Sequence, residues 1–467
     1  MKKYINYIKT LIGPSEDYIF KEMKIKNTKI LLVFSEVLTN TSDINEFILE
    51  KLSKYTKKEL NNIINYIPAA NIKEIKQEEI MLKINSGFLI MIINKKIFAI
   101  EIRKNLERGI TTIESELSLT GPKDSFSENF NTNLGLIRRR IKSSNLWWEQ
   151  LSLGCDTSTK IGLIYMNNIV DKNLIENVKE KLNKINIDGI IDSTYLKDTL
   201  ESDSLFPTVS LTERSDKTCM ALLEGKIVIM VDTTSYVLIL PNFFIDYFHT
   251  VDDYYQKSFN TTLIRIIRIF AFFIAIFIPA YYIAVTTYNQ DSIFLSLLLL
   301  LKAQRASVPF PATIEALFMI ISFEILRESD LRMSSTTGSA ISILGGLILG
   351  DAAVSAGIIS PIMIIVIALS SIAGFVFTSI ELVNAIRIYR IIFLILASLL
   401  GIYGIYLGAV YLLYKLVTLT SFNKPYLAPF SPFIKIEQKD AIIKTKNKGI
   451  KYRNPLLSSN KKRGEYK

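Results

Sequence analysis

The sequence predicts an α/β cytosolic region of two subdomains followed by an all-α, multi-span membrane domain. The first observation is a change in composition: charged residues are spread evenly up to about residue 262, whereas apolar runs dominate from Leu263 to Thr418. The second is a pair of β-hairpin patterns in the front half, and the third is a set of apolar stretches long enough to cross a bilayer. The length of 467 residues agrees with two to four domains.

The front half divides into three predicted segments. Residues 1–27 have the pattern of an amphipathic helical lead with a turn at Gly13-Pro14. Residues 28–140 form a first α/β subdomain, with a hairpin in 87–103, and residues 141–262 form a second one, with a hairpin in 226–241. The opening residues contain no apolar core of a secretory signal, so we expect the front half to be cytoplasmic.

Residues 263–418 form the predicted transmembrane domain. Its four full spans are 266–288, 340–360, 361–380 and 391–416. Two apolar segments, 292–301 and 313–326, are too short to span and resemble half-helices, interfacial segments or an interrupted pair. Between them lie Pro309 and Pro311, which favour a re-entrant or broken element.

Residues 419–467 form a basic tail. From Lys435 to Lys467 there are 11 Lys and Arg residues against 3 acidic ones. The positive-inside rule places such a tail in the cytoplasm, so the number of crossings is even, and four and six both fit. The composition favours a solvated, partly disordered segment beside anionic lipid. Few aromatic residues interleave with the charges, so no nucleic-acid partner is expected.

No enzyme is indicated by the reactive side chains. The two cysteines, Cys155 and Cys219, are far apart, and His249 is the single histidine. No phosphate-binding glycine motif is present. The pair Asp252 and Asp253 fits a polar hinge at the membrane better than acid/base catalysis or a metal site. We therefore expect no catalytic residues, no metal and no cofactor.

Residues 338–360 combine small side chains with one carboxylate. Small residues recur at a helical spacing, at Gly338, Ser342, Gly346 and Gly350, and Gly357 extends the pattern. Tight helix packing and a pore-lining face both remain open. Asp351, in the same apolar stretch, costs several kcal/mol unless it is paired or wetted, so it indicates a polar cavity, an ion path or a helix break near the interface.

A second charged group follows the two prolines. Glu324, Arg327 and Glu328 lie on one helical face, where they can neutralise one another. Glu315 precedes them by about two and a half turns of helix. A membrane-edge anchor and a lever that couples movements both remain open for this group.

Long blocks of sequence resemble one known family. The blocks are LTGPKDSFSENFNTNLGLIRRRIK (119–142), FPTVSLTERSDKTCMALLEGKIVIMVD (206–232), FFIDYFHTVDDYY (243–255), VPFPATIEALFMIISFEILRE (308–328), GSAISILGGLILGDAAVSAGIISPIMIIVIALSSIAGF (338–375) and PYLAPFSP (425–432). In order and spacing, over roughly residues 30–432, they resemble the A subunit of GerA-type spore germinant receptors.

The resemblance implies a multi-pass subunit of the spore inner membrane with both terminal regions in the cytoplasm. Its expected partners are membrane lipid, a transporter-like B subunit that senses the nutrient and a lipoprotein C subunit. Copies of the A subunit would form a homo-oligomer, a pentamer by resemblance, that acts as a nutrient-gated monovalent cation channel and triggers germination. A non-conducting scaffold that couples the B and C subunits is the alternative.

Roles for individual residues follow within this framework. The pore or gate candidates are Asp351, Leu347, Leu349 and Val354, and the small residues above are the helix-packing face. The candidates for membrane coupling are Pro309, Pro311, Glu315, Glu324, Arg327 and Glu328. The candidates for soluble-domain contacts are Arg138, Arg139, Arg140, Glu213 and Arg214.

Overall fold

The fold is that of a computed structural model of the full chain. It describes residues 1–25, 28–50, 67, 71–104, 111–112, 116, 120–332, 346, 348–446, 449–459 and 462–464. Two antiparallel sheets with their helices form the front of the molecule, and apolar helices follow. The predicted fold class is confirmed.

The first sheet has five antiparallel strands in the order β1-β2-β4-β5-β3. Their bounds are Tyr18–Ile25 (β1), Thr28–Ser35 (β2), Ile72–Glu74 (β3), Phe88–Ile93 (β4) and Lys96–Glu101 (β5). Both faces of the sheet are apolar, because helices α1 (Lys2–Ile12) and α2 (Ile80–Ile84) cover one face and the helical turns at Thr41–Asp43 and Ile44–Leu49 lie at the other. A further helical turn lies at Gln77–Glu79.

The predicted helical lead is only half helical. Helix α1 confirms the first part, but the prediction is wrong for residues 18–25, which form β1 and pair along the whole of β2. The strand carries Lys21, Glu22 and Lys24, which suggest a solvated helix by sequence. A strand at the edge of a sheet tolerates charged residues because its unpaired edge meets water.

The second sheet also has five antiparallel strands, in the order β10-β12-β11-β9-β8. A two-stranded ribbon of β6 (Thr111–Thr112) and β7 (Asp124–Ser125) precedes it. The strands are Leu146–Leu153 (β8), Thr159–Met166 (β9), Ser210–Thr212 (β10), Ile227–Val231 (β11) and Val237–Leu240 (β12). The two predicted hairpins are confirmed as β4–β5 and β11–β12.

Four helices cover this second sheet. They are α3 (Phe130–Arg140), α4 (Lys172–Asn183), α5 (Ser193–Leu200) and α6 (Ser215–Glu224). Helices α3 and α6 share a core with one face, and α4 and α5 share a core with the other. Helix α3 therefore packs with the second sheet, although the sequence places it before the predicted boundary at residue 140.

The second half of the chain is helical. Among the residues that the structure describes, its longer helices are Ser258–Thr287 (α7), Leu295–Arg305 (α8), Ala312–Arg332 (α9), Pro361–Gly374 (α10), Ile380–Leu400 (α11) and Ile402–Thr418 (α12). Shorter elements lie at Phe244–Phe248, Val251–Tyr254, Gln290–Ser292, Ile348–Ala352, Ala353–Ser355, Thr420–Ser421 (β13), Lys424–Pro425 (β14) and Glu437–Lys439. By length and composition, α7 and α11 could cross a membrane.

Two predicted segments differ from the structure. The single span 391–416 is wrong, because the chain turns at Gly401, which has a φ of 61°. Helix α12 then returns along α11, and a Cβ atom at Gly408 would lie 2.7 Å from the Phe393 ring. The short segment 313–326 is part of the 21-residue helix α9. Of the predicted span 340–360, the structure describes 346 and 348–360.

One hydrophobic core runs from the second sheet into the apolar helices. It includes Ile229 of the sheet, Ala275 of α7 and Ile386 of α11. Aromatic rings lie where the two regions meet: Phe206 stacks on Tyr389 with ring centroids 5.1 Å apart. The second subdomain is thus packed directly against the helices.

Candidate functional site

The entrance to helix α7 is an ion-pair network. Arg265 lies 3.2 Å from Asp253 and 3.0 Å from Asp440 of the tail, and Arg268 lies 2.8 Å from Asp253. Although burial alone would raise it, the guanidinium groups of Arg268 and Arg265 lower the pKa of Asp253. Asp253 therefore joins the α/β region to the start of α7 as an ionised carboxylate.

The basic tail is folded against the second subdomain over its described residues. Lys444 is buried, and its ammonium group donates to the carbonyl of Asp253 at 2.5 Å. Arg453 donates to the carbonyl of Leu223 at 2.9 Å, and Leu457 belongs to the hydrophobic core. The expectation of a partly disordered tail is wrong for these residues, because their charges bind carbonyls and carboxylates of the same chain.

The tail and the second subdomain line a cavity of about 570 Å³. His249, Asp246 and Glu437 are among its lining residues. Burial and the nearby Arg265 guanidinium lower the pKa of His249 to about 4, and its Nε2 lies 2.6 Å from the carbonyl oxygen of Ala441. Burial, together with Asp246 and Glu224, raises the pKa of Glu437 to about 8. Among the described residues no group of three His, Cys, Asp or Glu side chains could hold a metal.

Arg138 joins the two subdomains. This buried side chain of α3 donates to Asp17 at 2.6 Å and to the hydroxyl of Tyr18 at 2.8 Å. Trp148 donates to the same carboxylate at 2.9 Å. Its neighbour Arg139 is exposed. The sequence pointed to the arginines but not to Asp17, whose contact with α3 is created by the packing of β1.

The remaining predicted soluble-domain residues lie close to one another. Arg140 binds both carboxylate oxygens of Asp124, at 2.5 and 2.7 Å. Arg214 donates to Asp216 at 2.8 Å and lies 3.7 Å from Asp252. Glu213 accepts a hydrogen bond from the backbone N–H of residue 116 at 3.3 Å. These side chains fix the ribbon, helix α6 and the approach to α7 within one chain.

Glu315 is the most buried carboxylate of the helical region. It accepts hydrogen bonds from the backbone N–H and hydroxyl of Ser360, at 3.1 and 2.9 Å, and lies 3.3 Å from Arg305 of α8. Pro311 accepts hydrogen bonds from the first turn of α9, and Pro309 is exposed in the linker before it. The two prolines thus lie between helices α8 and α9, directly before the first turn of α9.

Of the other coupling candidates, Glu324 connects α9 with α11. Glu324 forms an ion pair with Arg387, and the guanidinium of Arg327 lies 5.7 Å from the ring centroid of Phe375. Glu328 pairs with Arg332 on the exposed side of α9, at 2.7 Å. The sequence indicated that these charges could neutralise one another within α9. In the structure, Glu324 pairs with Arg387 and Glu328 pairs with Arg332.

The predicted pore segment is partly described. Asp351 is exposed and Val354 is half-buried. A methyl group added at Gly346 or Gly350 would touch nothing within 4 Å in the described part of the chain, whereas Gly357, with a φ of 65°, lies against Ser307. Gly338, Ser342 and Leu347, and the side chain of Leu349, lie outside the described residues.

Together these features define a membrane-associated protein in which a folded α/β region is packed against a charge-bearing helical region. The chain belongs to the Bacillus/Clostridium GerA spore germination protein family, whose model matches residues 6–456. It is a member of a germination receptor family, as the sequence blocks suggested.

Several relatives match over nearly their full length. The chain is 37% identical to spore germination protein KA of Bacillus subtilis (strain 168), over 95% of this chain and 84% of that protein. It is 32% identical to spore germination protein GerQA of Bacillus cereus, over 99% of this chain and 93% of that protein. It also aligns with the crystal structure of the N-terminal domain of the A subunit of the Bacillus megaterium spore germinant receptor GerK3, at 25% identity and a TM-score of 0.41, over 52% of this chain and 95% of that chain.

Proposed function

We propose that this chain is the A subunit of a nutrient-responsive spore germination receptor and that its copies form a nutrient-gated channel for monovalent cations. The family membership and the names of the relatives support the receptor role. In this proposal the subunit lies in the spore inner membrane, in contact with lipid. It works with a transporter-like B subunit, which senses the nutrient, and a lipoprotein C subunit.

The observation that carries the channel proposal is the open polar face around Asp351. Asp351 is an exposed carboxylate in an apolar region, and Gly346 and Gly350 beside it have no close neighbour in the described chain. Lipid tails cannot solvate a carboxylate, so this face requires water or another protein surface. A ring of copies supplies both, with the glycines at the contact between copies and Asp351 facing a wet path.

Two contacts support the placement of both terminal regions on the same side of the membrane. Glu381 at the start of α11 lies 3.0 Å from Lys197 of the second subdomain. After α12 the chain is back beside the same subdomain, where Ser202 donates to the carbonyl of Thr420 at 2.7 Å. Helices α11 and α12 thus form a hairpin that starts and ends at the α/β region, which supports a cytoplasmic location of the tail together with that region.

In this proposal, gating uses the packing of the α/β region on the helices. Binding of a nutrient to the B subunit shifts a closed/open equilibrium by its difference in affinity for the two states. The shared core and the Lys197–Glu381 pair pass a movement of the second subdomain to α11. Glu324 and Glu315 carry it on to α9 and α10, and Leu347, Leu349 or Val354 act as an apolar gate that conducts once it is wetted.

The first experiment is the detergent-corrected mass of the purified full-length chain. Because each chain contributes few helices, a channel requires a ring of several chains. The expected result is therefore a mass of several chains, near five. A chain that stays monomeric, alone and within the assembled receptor, contradicts the channel and favours the scaffold that couples the B and C subunits.

The second experiment measures cation flux from vesicles that contain the assembled receptor, before and after nutrient is added. Asp351→Asn is expected to lower K⁺ flux and cation selectivity, because the ring loses its negative charge. Asp291→Asn is the matched control, since Asp291 is an exposed carboxylate in the loop after α7. Unchanged flux in Asp351→Asn receptors of normal mass removes Asp351 from the path.

A further inference from the structure

Three arginines of the helical region, Arg327, Arg387 and Arg390, lie near Glu324. Arg387 of α11 forms an ion pair with Glu324 of α9. Arg327 lies one turn further along α9, beside the ring of Phe375. Arg390 lies one turn further along α11 and is 4% exposed. With Glu324 ionised, and with Glu328 paired to Arg332 on the exposed side of α9, the three arginines keep an excess of two positive charges.

The buried member of the cluster is held by neutral groups. Arg390 donates to the carbonyl of Ala275 at 2.9 Å and to that of Ser370 at 3.2 Å, and it lies 3.5 Å from the hydroxyl of Ser371. Carbonyls orient a guanidinium but do not cancel its charge. A charge excess of this kind in an apolar region costs free energy unless a counter-ion is present.

The cluster lies near the end of the helices that faces the α/β region. Arg387 is six residues from Glu381, which corresponds to about 9 Å along a helix, and Glu381 contacts Lys197 of the second subdomain. Arg327 is near the last turn of α9, which ends at Arg332. The long side chains of Arg327 and Arg387 can therefore reach the level of the lipid headgroups.

The surroundings of the two half-buried arginines are apolar and exposed. Ile325 of α9, Ile388 of α11 and Phe375 after α10 all present exposed side chains. A free inorganic anion gains nothing from such surfaces, whereas a lipid places its phosphate on the arginines and its acyl chains along the isoleucines. The combination of charge and apolar surface therefore favours an amphiphilic anion over a small inorganic one.

We propose that Arg327 and Arg387 bind the headgroup phosphate of an anionic phospholipid in the groove between α9 and α11, and that Arg390 supplies a buried positive charge behind it. Guanidinium groups suit a phosphate because they can donate two parallel hydrogen bonds to it. The carboxylate of Glu324 shares the groove and weakens the site. This inference does not depend on whether the protein conducts ions.

The test is native mass spectrometry of the purified full-length chain in detergent, titrated separately with phosphatidylglycerol and phosphatidylcholine. The wild-type chain is expected to retain phosphatidylglycerol preferentially. The double variant R327Q/R387Q should bind it about 30-fold more weakly, since each basic group near a membrane surface contributes about fivefold. Glu324→Gln should strengthen binding, because it removes the negative charge.

The matched control is Lys415→Gln. Lys415 is an exposed cation in the last turn of α12, away from Glu324 and its arginines. The Lys415→Gln variant should bind phosphatidylglycerol like the wild type. The pair R327K/R387K keeps both charges without the planar donors and should bind with intermediate strength, which separates a local effect from misfolding.

Two outcomes overturn the proposal. One is equal retention of phosphatidylglycerol by the wild type and R327Q/R387Q. The other is displacement of the lipid by inorganic phosphate or glycerol phosphate at concentrations equal to that of the lipid, which would assign the arginines to a free phosphate anion. Retention that survives these competitors and is lost only in the double variant supports the lipid site.

Discussion

Arg265 and Asp440 are 175 residues apart in the sequence, and their side chains lie 3.0 Å apart in the structure. Arg265 is in the second turn of α7, and Asp440 belongs to the basic tail that follows the last helix. The hydroxyl of Tyr254 donates to the same carboxylate at 2.9 Å. The tail, which follows the last helix, therefore contacts the start of the first helix of the helical region.

Loss of this contact should release the tail. We expect Asp440→Asn to destabilise the full-length chain in detergent by about 1.5–3 kcal/mol, the range for hydrogen bonds to charged groups. Thermal unfolding measures the loss of stability, and limited proteolysis measures the release of the tail. Asp198→Asn, at an exposed position of α5, is the control. Equal protease resistance of the two variants would show that the ion pair does not hold the tail.

The contact between Arg138 and Asp17 should be costlier to break. Asp17→Asn leaves a buried guanidinium without its counter-charge, and we expect a loss of about 3–5 kcal/mol in the free energy of unfolding. Glu16→Gln, one residue away and exposed, should change stability by less than about 0.5 kcal/mol. Chemical unfolding of both variants provides the comparison, and a small effect of Asp17→Asn would mean that water reaches the arginine.

His249 should make stability depend on pH. Because its pKa is lowered from 6.5 to about 4 in the fold, the unfolded chain binds more protons between these values. Stability therefore falls as the pH drops through this window, by about 3 kcal/mol in total at 1.4 kcal/mol per pH unit. Glu437, with its pKa raised to about 8, opposes this trend, since its contribution is lost as the pH rises above 4.5.

A variant isolates the histidine from the other titrating groups. His249→Gln can still donate to the carbonyl of Ala441 but takes up no proton. Thermal unfolding at pH 7, 5.5 and 4.5 should show that the wild type loses stability relative to His249→Gln as the pH falls. Parallel curves for the two proteins would contradict the lowered pKa.

The hairpin of α11 and α12 should depend on Gly408. A Cβ atom there would lie 2.7 Å from the Phe393 ring and 2.9 Å from Leu396, so Gly408→Ala must push the helices apart. We expect a loss of about 1–3 kcal/mol, typical of overpacking. Gly374→Ala adds the same methyl group to α10 at an ordinary contact distance of 3.6 Å and should be neutral. Equal melting temperatures of the two variants would argue against the hairpin.

Local patterns predicted much of the fold. The hairpin β4–β5 was predictable because two apolar runs of strand length flank a short polar turn, in which Asn94 and Lys95 adopt positive φ. The hairpin of α11 and α12 was not, because the turn at Gly401 is followed by apolar residues and carries no proline or polar marker. Continuous hydropathy through a tight helical turn looks like one span.

In the candidate site too, the sequence indicated some of the residues but not their partners. Charge in an apolar stretch marked Glu315 and Asp351 as special, since the cost of an ionised group in such a region does not depend on the fold. Their partners were beyond prediction: Ser360 is 45 residues from Glu315. Asp17, 121 residues from Arg138, carries no local signal at all.

The sequence by itself determined the division into an α/β region and an apolar helical region, and its long blocks determined the family, because composition, periodicity and motif order are properties of the chain. Only the tertiary structure decided that the basic tail is folded, that β1 completes the first sheet and that three arginines lie near Glu324. These outcomes depend on contacts between residues distant in sequence, and such contacts form only when the whole chain packs.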